Sequence, residues 1–175
     1  METVRFVLRR TIAEDAAGIF SGWAADEAVV RYLGWRAHRD IGETRAFLAR
    51  CERQWEEGVG FPMIILRRGD DRLPLGIVHP ERRGDVVSVG FVLRREVWGQ
   101  GCATEVLRAV AGRALAEVGV VRVEAFCDVE NRASARVMEK AGFVREGVRH
   151  AFFVHPNISG KPRDCVMFVL ERAVT

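Results

Sequence analysis

The sequence has little of what would place the protein in a membrane or in an oxidising compartment. It contains no apolar run of about 18 residues, no secretory signal pattern in its first ten residues, METVRFVLRR, and no lipidation motif at its end. Its four cysteines, Cys51, Cys102, Cys127 and Cys165, are scattered, with no C-x-x-C pair and no histidine at metal-ligand spacing. We therefore expect a cytoplasmic protein that binds no metal and uses its cysteines as small core residues.

Charge and composition exclude further classes of protein. The 27 basic and 24 acidic side chains leave a formal charge of only +3, and the arginine pairs are dispersed along the chain instead of forming a stripe, so nucleic-acid binding is not expected. A hydrophobic content of 49% with 29% charged residues is ordinary for a globular protein. We expect residues 1–175 to form a single domain, with no linker, internal repeat or low-complexity segment.

The spacing of apolar residues predicts a mixed α and β protein. Capping residues predict helices that begin near Thr11, Asp26, Asp40 and Asn131, and a wide apolar stripe predicts a fifth helix over residues 103–117. Strand-like patterns cover residues 4–9, 61–66, 75–79, 86–93, 120–127, 144–154 and 165–171. Turn residues at 69–72 and 82–85 predict an antiparallel meander. The strand, helix and strand that follow predict a parallel crossover at the centre of the fold.

Residues 99–104, GQGCAT, join the strand at residues 86–93 to the helix at residues 103–117. Small residues at a helix start leave backbone N–H groups uncovered, and a phosphate or pyrophosphate binds well there. One alternative is a tight turn that uses glycine only for its conformation. Another is a dinucleotide fingerprint with Glu124 as its acidic residue, but Thr104 replaces the third glycine and a meander precedes the loop.

From Val86 to Phe143 the residues resemble the GNAT superfamily of acetyl-coenzyme A dependent N-acetyltransferases. The family loop, Q/R-x-x-G-x-G/A, is matched at Gly101 and Ala103, and the chain departs from it at Trp98. Trp98 followed by GQGCATE, together with the segment NRASARVMEKAGF, resembles the branch that includes the ribosomal-protein N-terminal acetyltransferases. The resemblance implies a central mixed, mostly antiparallel sheet of about seven strands, with helices on both faces and one parallel crossover.

The resemblance also implies partners for each part of acetyl-CoA, the co-substrate. Backbone N–H groups of residues 99–104 are expected to hold the pyrophosphate: Gly99, Gln100, Gly101, Cys102, Ala103 and Thr104. The strand-edge backbone of Phe91, Val92 and Leu93 is expected to bind the pantetheine arm. Asn131 is expected to contact the pantetheine, to cap the helix that follows, or to do both. Arg94, Arg95 and Arg132 are candidates for the remaining phosphate.

For the chemistry, the resemblance implies Ser134 as the general acid that protonates the departing thiolate. Many family members use a tyrosine one turn further on, where this chain has Met138. An amine acceptor must lose a proton before it attacks, and no base is assigned. The candidates are Ser88 through a water, Glu124, His150 and Asp164, whereas Phe126 replaces a glutamate of some relatives.

The function that the resemblance implies is transfer of an acetyl group from acetyl-CoA to a primary amine by direct attack, without a metal. The acceptor is a protein N-terminus or a small molecule such as an antibiotic or a polyamine. Residues 26–40 and 150–163 are expected to flank the acceptor cleft. A different class, a non-catalytic acyl-CoA binding or sensing domain, stays open, and so does assembly into a homodimer.

Overall fold

The computed structural model describes residues 1–70 and 72–172. Asp71, which belongs to the turn predicted at residues 69–72, and residues 173–175 lie outside the described residues. Within the described ranges, no helix has both the length and the apolar character needed to cross a membrane.

Seven strands form one sheet with the order β1-β2-β3-β4-β5-β7-β6. The strands are β1 Phe6–Arg10, β2 Met63–Arg67, β3 Gly76–Arg83, β4 Val86–Leu93, β5 Arg122–Asp128, β6 Val144–Val154 and β7 Pro162–Glu171. Every neighbouring pair is antiparallel except β4 and β5, which are parallel. The predicted sheet of about seven strands, mostly antiparallel with one parallel crossover, is therefore confirmed.

Helices cover both faces of this sheet, as predicted. They are α1 Ala16–Ile19, α2 Glu27–Val30, α3 Ile41–Glu57, α4 Cys102–Leu115 and α5 Arg132–Ala141. On one face, Trp23 and Leu48 from the first helical layer pack on Ile64 of β2. On the other face, Leu107 of α4 and Met138 of α5 belong to a second core cluster. Complete burial of such side chains contributes about 1.5–3 kcal/mol each.

The predicted helix ends are confirmed at several positions. The carboxylates of Asp26 and Asp40 accept hydrogen bonds from N–H groups in the first turns of α2 and α3. Gly58 and Gly142 end α3 and α5 in the left-handed conformation, with φ of 67° and 100°.

The prediction of a single capped helix from Thr11 to Trp23 was wrong. The segment is divided into a 3-10 turn, Ala13–Asp15, then α1, then a π-helical turn, Phe20–Ala24. The side chain of Asp15 is buried, pairs with Arg9 at 2.6 Å and accepts the N–H of Ile12 at 2.9 Å. Because Asp15 makes these contacts, the turn starts at Ile12 and the hydroxyl of Thr11 is not its cap.

The two parallel strands at the centre of the sheet diverge. All eight residues of β4 pair with β3, whereas β4 pairs with β5 only at Val86–Ser88 against Arg122–Glu124. From Val89 to Leu93, β4 therefore has a partner on one side only. A wedge-shaped gap therefore separates β4 from β5 in the middle of the sheet.

Candidate active site

A cavity of about 500 Å³ lies where β4 and β5 diverge. Its walls come from both helical layers: Ala28 and Val29 belong to α2 on one face of the sheet, and Ser134 and Val137 to α5 on the other. The gap between β4 and β5 therefore extends through the sheet from one face to the other. The remaining lining residues are Tyr32, Leu33, Phe91, Val92, Leu93, Val97, Trp98, Gly99, Gly101, Cys102, Ala103, Thr104, Asn131, Ala133, Arg136 and Lys140.

Of the residues assigned to coenzyme binding or to the general acid, all except Gln100 line the cavity. The side chain of Gln100 turns back along the loop, and its amide nitrogen donates to the carbonyl oxygen of Glu96 at 2.8 Å. Because the predicted role of Gln100 is to offer its backbone N–H, this side-chain contact does not oppose the prediction. The roles of all these residues stay predictions that the geometry permits.

The loop at residues 99–104 presents an uninterrupted row of free donors. Within residues 1–70 and 72–172, no N–H group from Gly99 to Thr104 donates a hydrogen bond to another protein group. The first backbone bond of α4 is donated by Glu105 to the carbonyl of Gly101, at 3.1 Å. Gly99 and Gly101 have φ of 73° and 75°, a conformation that favours glycine. The row lies at the positive end of the helix dipole, where an anion is stabilised.

The free edge of β4 forms the next part of the cavity wall. In an antiparallel pair, successive residues direct their backbone groups alternately toward and away from the partner strand. Between Val89 and Leu93, the groups directed away from β3 meet no β5 partner. The indole N–H of Trp98 donates a hydrogen bond to the carbonyl oxygen of Leu93 at 2.9 Å. The wall therefore offers main-chain hydrogen bonds to an extended ligand.

Asn131 and Ser134 meet at the start of α5. The side-chain oxygen of Asn131 accepts the backbone N–H of Ser134 at 3.1 Å, so Asn131 is the helix cap. It also lines the cavity, and its side-chain NH₂ group has no hydrogen-bond acceptor in the described part of the chain. The half-buried hydroxyl of Ser134 is likewise without a protein partner among the described residues. Met138, one turn further on, is fully buried in the core.

Two cations that the sequence analysis missed line the same cavity. Arg136 and Lys140 are one turn apart on α5, on the face that carries Ala133 and Val137. In the described residues, no carboxylate lies within 4 Å of either cation. Their spacing of four residues on a helix face was the signal that could have identified them.

The three arginines proposed for the remaining phosphate do not line the cavity. Arg94 pairs with Glu96 at 3.0 Å, and Arg95 binds Asp26 at 2.5 Å. Arg132 lines a separate hollow of about 350 Å³ between α5 and the β6–β7 strands. Arg94 and Arg95 thus have carboxylate partners on neighbouring segments.

The thiol of Cys102 lies in the cavity wall but is not poised to react. Burial raises the pKa of Cys102 to about 11, so the thiol stays protonated at neutral pH. All four cysteines are buried and free, as the sequence analysis expected for core residues.

The candidates for a general base lie in two places, and none of them lines the cavity. Ser88 and Glu124 face each other across the last paired rung of β4 and β5. His150 and Asp164 bind each other at 2.7 Å on the exposed β6–β7 hairpin. The N–H of Ala151 and the His150 side chain hold the pKa of Asp164 below its usual range. The structure singles out no base from these four residues.

The two segments predicted to flank the acceptor cleft are in contact. The side-chain NH₂ group of Asn157, from the β6–β7 connection, donates to the carbonyl oxygens of Val30 at 2.8 Å and Trp35 at 2.7 Å. Tyr32, which lines the cavity, packs edge-on against the buried ring of His155. The two segments therefore form one packed unit next to the cavity.

Comparison with known proteins agrees with this geometry. A family profile described as an acetyltransferase (GNAT) domain matches residues 5–144. A Bacillus subtilis (strain 168) protein named as the uncharacterized N-acetyltransferase YoaA is 28% identical over 174 residues, which cover 98% of this chain and 96% of that protein.

Two solved structures share the fold over almost the whole chain. The ribosomal-protein-S5-alanine acetyltransferase from Vibrio fischeri is 18% identical with a TM-score of 0.82, and the match covers 99% of this chain and 96% of that one. The Microcin C7 self immunity acetyltransferase MccE, solved in complex with acetyl-CoA and AMP, is 15% identical with a TM-score of 0.85, covering 97% and 93%.

Proposed function

This chain belongs to the GNAT family of acetyl-CoA-dependent N-acetyltransferases, and from that membership we propose that its acceptor is the free amino terminus of a polypeptide. The observation that supports binding of acetyl-CoA is the row of N–H groups from Gly99 to Thr104, unpaired within the described residues, beside the free edge of β4. This arrangement fits an extended thioester that ends in a pyrophosphate. The choice of acceptor is supported by the charges and exposure of the β6–β7 side.

The residues of the cavity divide the binding of acetyl-CoA among them. The N–H groups of residues 99–104 hold the pyrophosphate at the start of α4. The backbone of Phe91, Val92 and Leu93 pairs with the pantetheine arm in place of a neighbouring strand. Arg136 and Lys140 bind the remaining phosphate, because both line the cavity and neither has a carboxylate partner in the described residues.

The same wall supports direct transfer of the acetyl group. The neutral amine attacks the thioester carbonyl, so a C–N bond forms as the C–S bond breaks. An N–H group of the β4 edge stabilises the negative charge that develops on the carbonyl oxygen, an effect worth about 3 kcal/mol. Ser134 gives its hydroxyl proton to the departing thiolate and regains a proton from solvent, which takes up the proton that the attacking amine loses.

The charges on the acceptor side favour a single amine over a polyamine. A polycation would be attracted by unpaired carboxylates, but Asp128 there pairs with the guanidinium of Arg163 at 2.6 Å, and a carboxylate oxygen of Asp164 lies 2.7 Å from Nδ1 of His150. The β6 strand next to these pairs is exposed along most of its length. An exposed strand leaves room for a polypeptide end.

A thiol-release assay with acetyl-CoA tests the proposal. The acceptors are short peptides with free amino termini, the same peptides with blocked termini and one internal lysine, and small amines such as spermidine. We expect free thiol to appear with the unblocked peptides only.

The other outcomes identify the alternatives. Release with small amines alone would favour a small-molecule acetyltransferase. Binding of CoA in calorimetry without release from any acceptor would indicate a sensing domain. Absence of both heat and thiol would overturn the proposal as a whole.

A further inference from the structure

Arg5, just before β1, connects the start of the chain to the loop that carries the free N–H groups. Its side-chain Nε donates to Glu105 at 2.7 Å, and a second guanidinium nitrogen donates to the carbonyl oxygen of Gln100 at 2.9 Å. The backbone N–H of Arg5 also donates to Glu105, at 2.9 Å. Arg5 thus donates three hydrogen bonds, one to the loop and two to the first turn of α4.

The bond to the Gln100 carbonyl fixes the direction of the neighbouring N–H group. A trans peptide is planar, so the C=O of one residue and the N–H of the next point in opposite directions. When Arg5 holds the carbonyl of Gln100, it directs the N–H of Gly101 away from itself. Gly101 lines the cavity, so its direction matters for a ligand there.

The loop has little else to hold it in this conformation. Gly99 and Gly101 are both left-handed, and no side chain caps the N-terminus of α4. Glycine loses more conformational freedom on ordering than any other residue, so a loop of this composition needs contacts from outside it. Apart from the contact of Gln100 with Glu96, Arg5 supplies the hydrogen bonds that reach the loop from elsewhere in the described chain.

We propose that Arg5, oriented by Glu105, is a positioning residue that aims the loop N–H groups at the pyrophosphate of the coenzyme. This proposal rests on the proposed function, because it requires that the cavity binds acetyl-CoA. Neither side chain needs to touch the reacting atoms.

The charge state of Glu105 suits this task. Burial would raise the pKa of Glu105, but hydrogen bonds from the Arg5 backbone and the Thr3 and Arg5 side chains outweigh it and lower the pKa. The carboxylate is therefore ionised at neutral pH. A partly exposed ion pair of this kind contributes little to stability, so the expected effect of losing it is on the loop and not on the fold.

The test compares two acetyl donors that differ in the pyrophosphate. Acetyl-CoA carries it, and S-acetylpantetheine lacks both the pyrophosphate and the nucleotide. For Arg5→Ala we expect the KM for acetyl-CoA and the Kd for CoA to rise about tenfold, with the kcat for acetyl-CoA and the rate with S-acetylpantetheine unchanged within twofold. Arg5→Lys should recover only part of the affinity for acetyl-CoA, because a single ammonium cannot bind a carboxylate and a carbonyl in the geometry that a guanidinium allows.

Arg68→Ala is the matched control. Arg68 also binds one carboxylate, Glu2 at 2.8 Å, and one carbonyl, Thr3 at 2.7 Å, near the same end of the chain, but it makes no contact with the loop. We expect its KM for acetyl-CoA to equal that of the wild type. Glu105→Gln provides a second variant, with a smaller rise than Arg5→Ala, should Arg5→Ala fold poorly in thermal melting.

Three results would overturn the role of Arg5. They are an unchanged KM for acetyl-CoA in both Arg5→Ala and Glu105→Gln, an equal loss with both donors, and an equal loss in Arg68→Ala. Failure of the wild-type protein to bind CoA is a separate result, which overturns the proposed function itself.

Discussion

At the scale of single residues, Asn131 shows how one side chain can serve both the fold and the site. Its oxygen is used in capping α5, which leaves its NH₂ group available to the cavity. The backbone N–H of Ser134 is occupied by that cap, whereas the Ser134 hydroxyl has no partner among the described residues. The cap therefore holds Ser134 in place and leaves its hydroxyl free.

Replacement of Ser134 by alanine tests the general acid. We expect the kcat for acetyl transfer to fall about a hundredfold, because a positioned acid contributes at least that factor, with the KM for acetyl-CoA unchanged within twofold. Steady-state thiol release measures both. Ser21→Ala is the control, since the Ser21 hydroxyl donates only to the carbonyl of Ala17 on the surface. Full turnover in Ser134→Ala would remove the assignment.

A second residue-scale effect concerns the buried histidine. His155 lies between the rings of Tyr32 and Phe153, and its Nε2 is 3.6 Å from Asp128. Burial lowers the pKa of His155 below its ordinary 6.5, even though Asp128 opposes the shift. The unfolded chain therefore takes up a proton more readily than the folded protein as the pH falls through 6.5. The contribution of a neutral His155 to stability is present above that pH and decreases below it.

We expect the melting temperature to fall between pH 7 and pH 5, and the fall to be smaller in His155→Gln. Thermal melting across that range measures both slopes. His38 and His79 also have pKa values lowered by burial, so part of the slope should persist in the variant. Identical slopes in wild type and His155→Gln would contradict the interpretation.

The site residues that could be predicted from sequence are those close together along the chain. The glycine loop was predicted from its small residues at a helix start, and Asn131 and Ser134 from the family resemblance that the continuous segment NRASARVMEKAGF carries. Arg5 and Glu105 are 100 positions apart, and nothing in the spacing of either indicates the other. The contact joins the residue before β1 to helix α4, so it arises from the packing of distant elements, which a single sequence does not specify.

At the scale of elements, the connection between β6 and β7 holds the segment after α2. The two hydrogen bonds from Asn157 reach the carbonyls of Val30 and Trp35, on either side of Tyr32. This segment forms part of the cavity wall, on the side where the acceptor cleft is predicted. Its position therefore depends on one amide side chain more than 120 residues away.

Substitution of Asn157 tests that link. In Asn157→Ala we expect a loss of about 1–3 kcal/mol in the free energy of unfolding, because two partly buried carbonyl oxygens lose their donor. The KM for the acceptor should rise more than the KM for acetyl-CoA. Asn157→Asp keeps the shape but places a carboxylate against two carbonyls, so it should be at least as damaging. Denaturant unfolding and acceptor titrations measure the two effects, and a harmless Asn157→Asp would contradict the prediction.

The elements themselves were largely predictable, because caps and apolar spacing act locally. Asp26, Asp40 and Gly58 mark helix ends that the structure confirms. The segment after Thr11 was mispredicted because the buried pair of Arg9 and Asp15 determines its first turn. The divergence of β4 from β5 could not be derived from the strand patterns, since both strands appear continuous in sequence. The family resemblance supplied the expectation of a free strand edge at Phe91, Val92 and Leu93.

At the scale of the whole molecule, the net charge of +3 is small, but the unpaired positive charges are distributed unevenly. Many cations are neutralised by contacts between elements, such as Arg122 with Glu146 and Arg163 with Asp128. Arg136 and Lys140 differ, because they face the cavity with no carboxylate within 4 Å in the described residues. Attraction of an anionic ligand to these two groups should be sensitive to salt.

We expect the KM for acetyl-CoA to rise several-fold between 50 and 500 mM NaCl. In the double variant Arg136→Ala, Lys140→Ala the KM should already be high at low salt and should change less as salt is added. Arg113→Ala, on the exposed side of α4, is the control and should behave as the wild type. A wild-type KM that is independent of salt would contradict this role for the two cations.

The separation of β4 from β5 has a consequence for how the empty protein behaves. Main-chain groups that would normally be satisfied by a neighbouring strand are left facing a cleft in the middle of the sheet. A bound ligand that pairs with them acts as a short eighth strand. Ligand binding should therefore make the sheet more rigid as well as supply the substrate. Amide protons between Val89 and Leu93 that face this gap should then exchange rapidly with deuterated solvent until the ligand arrives.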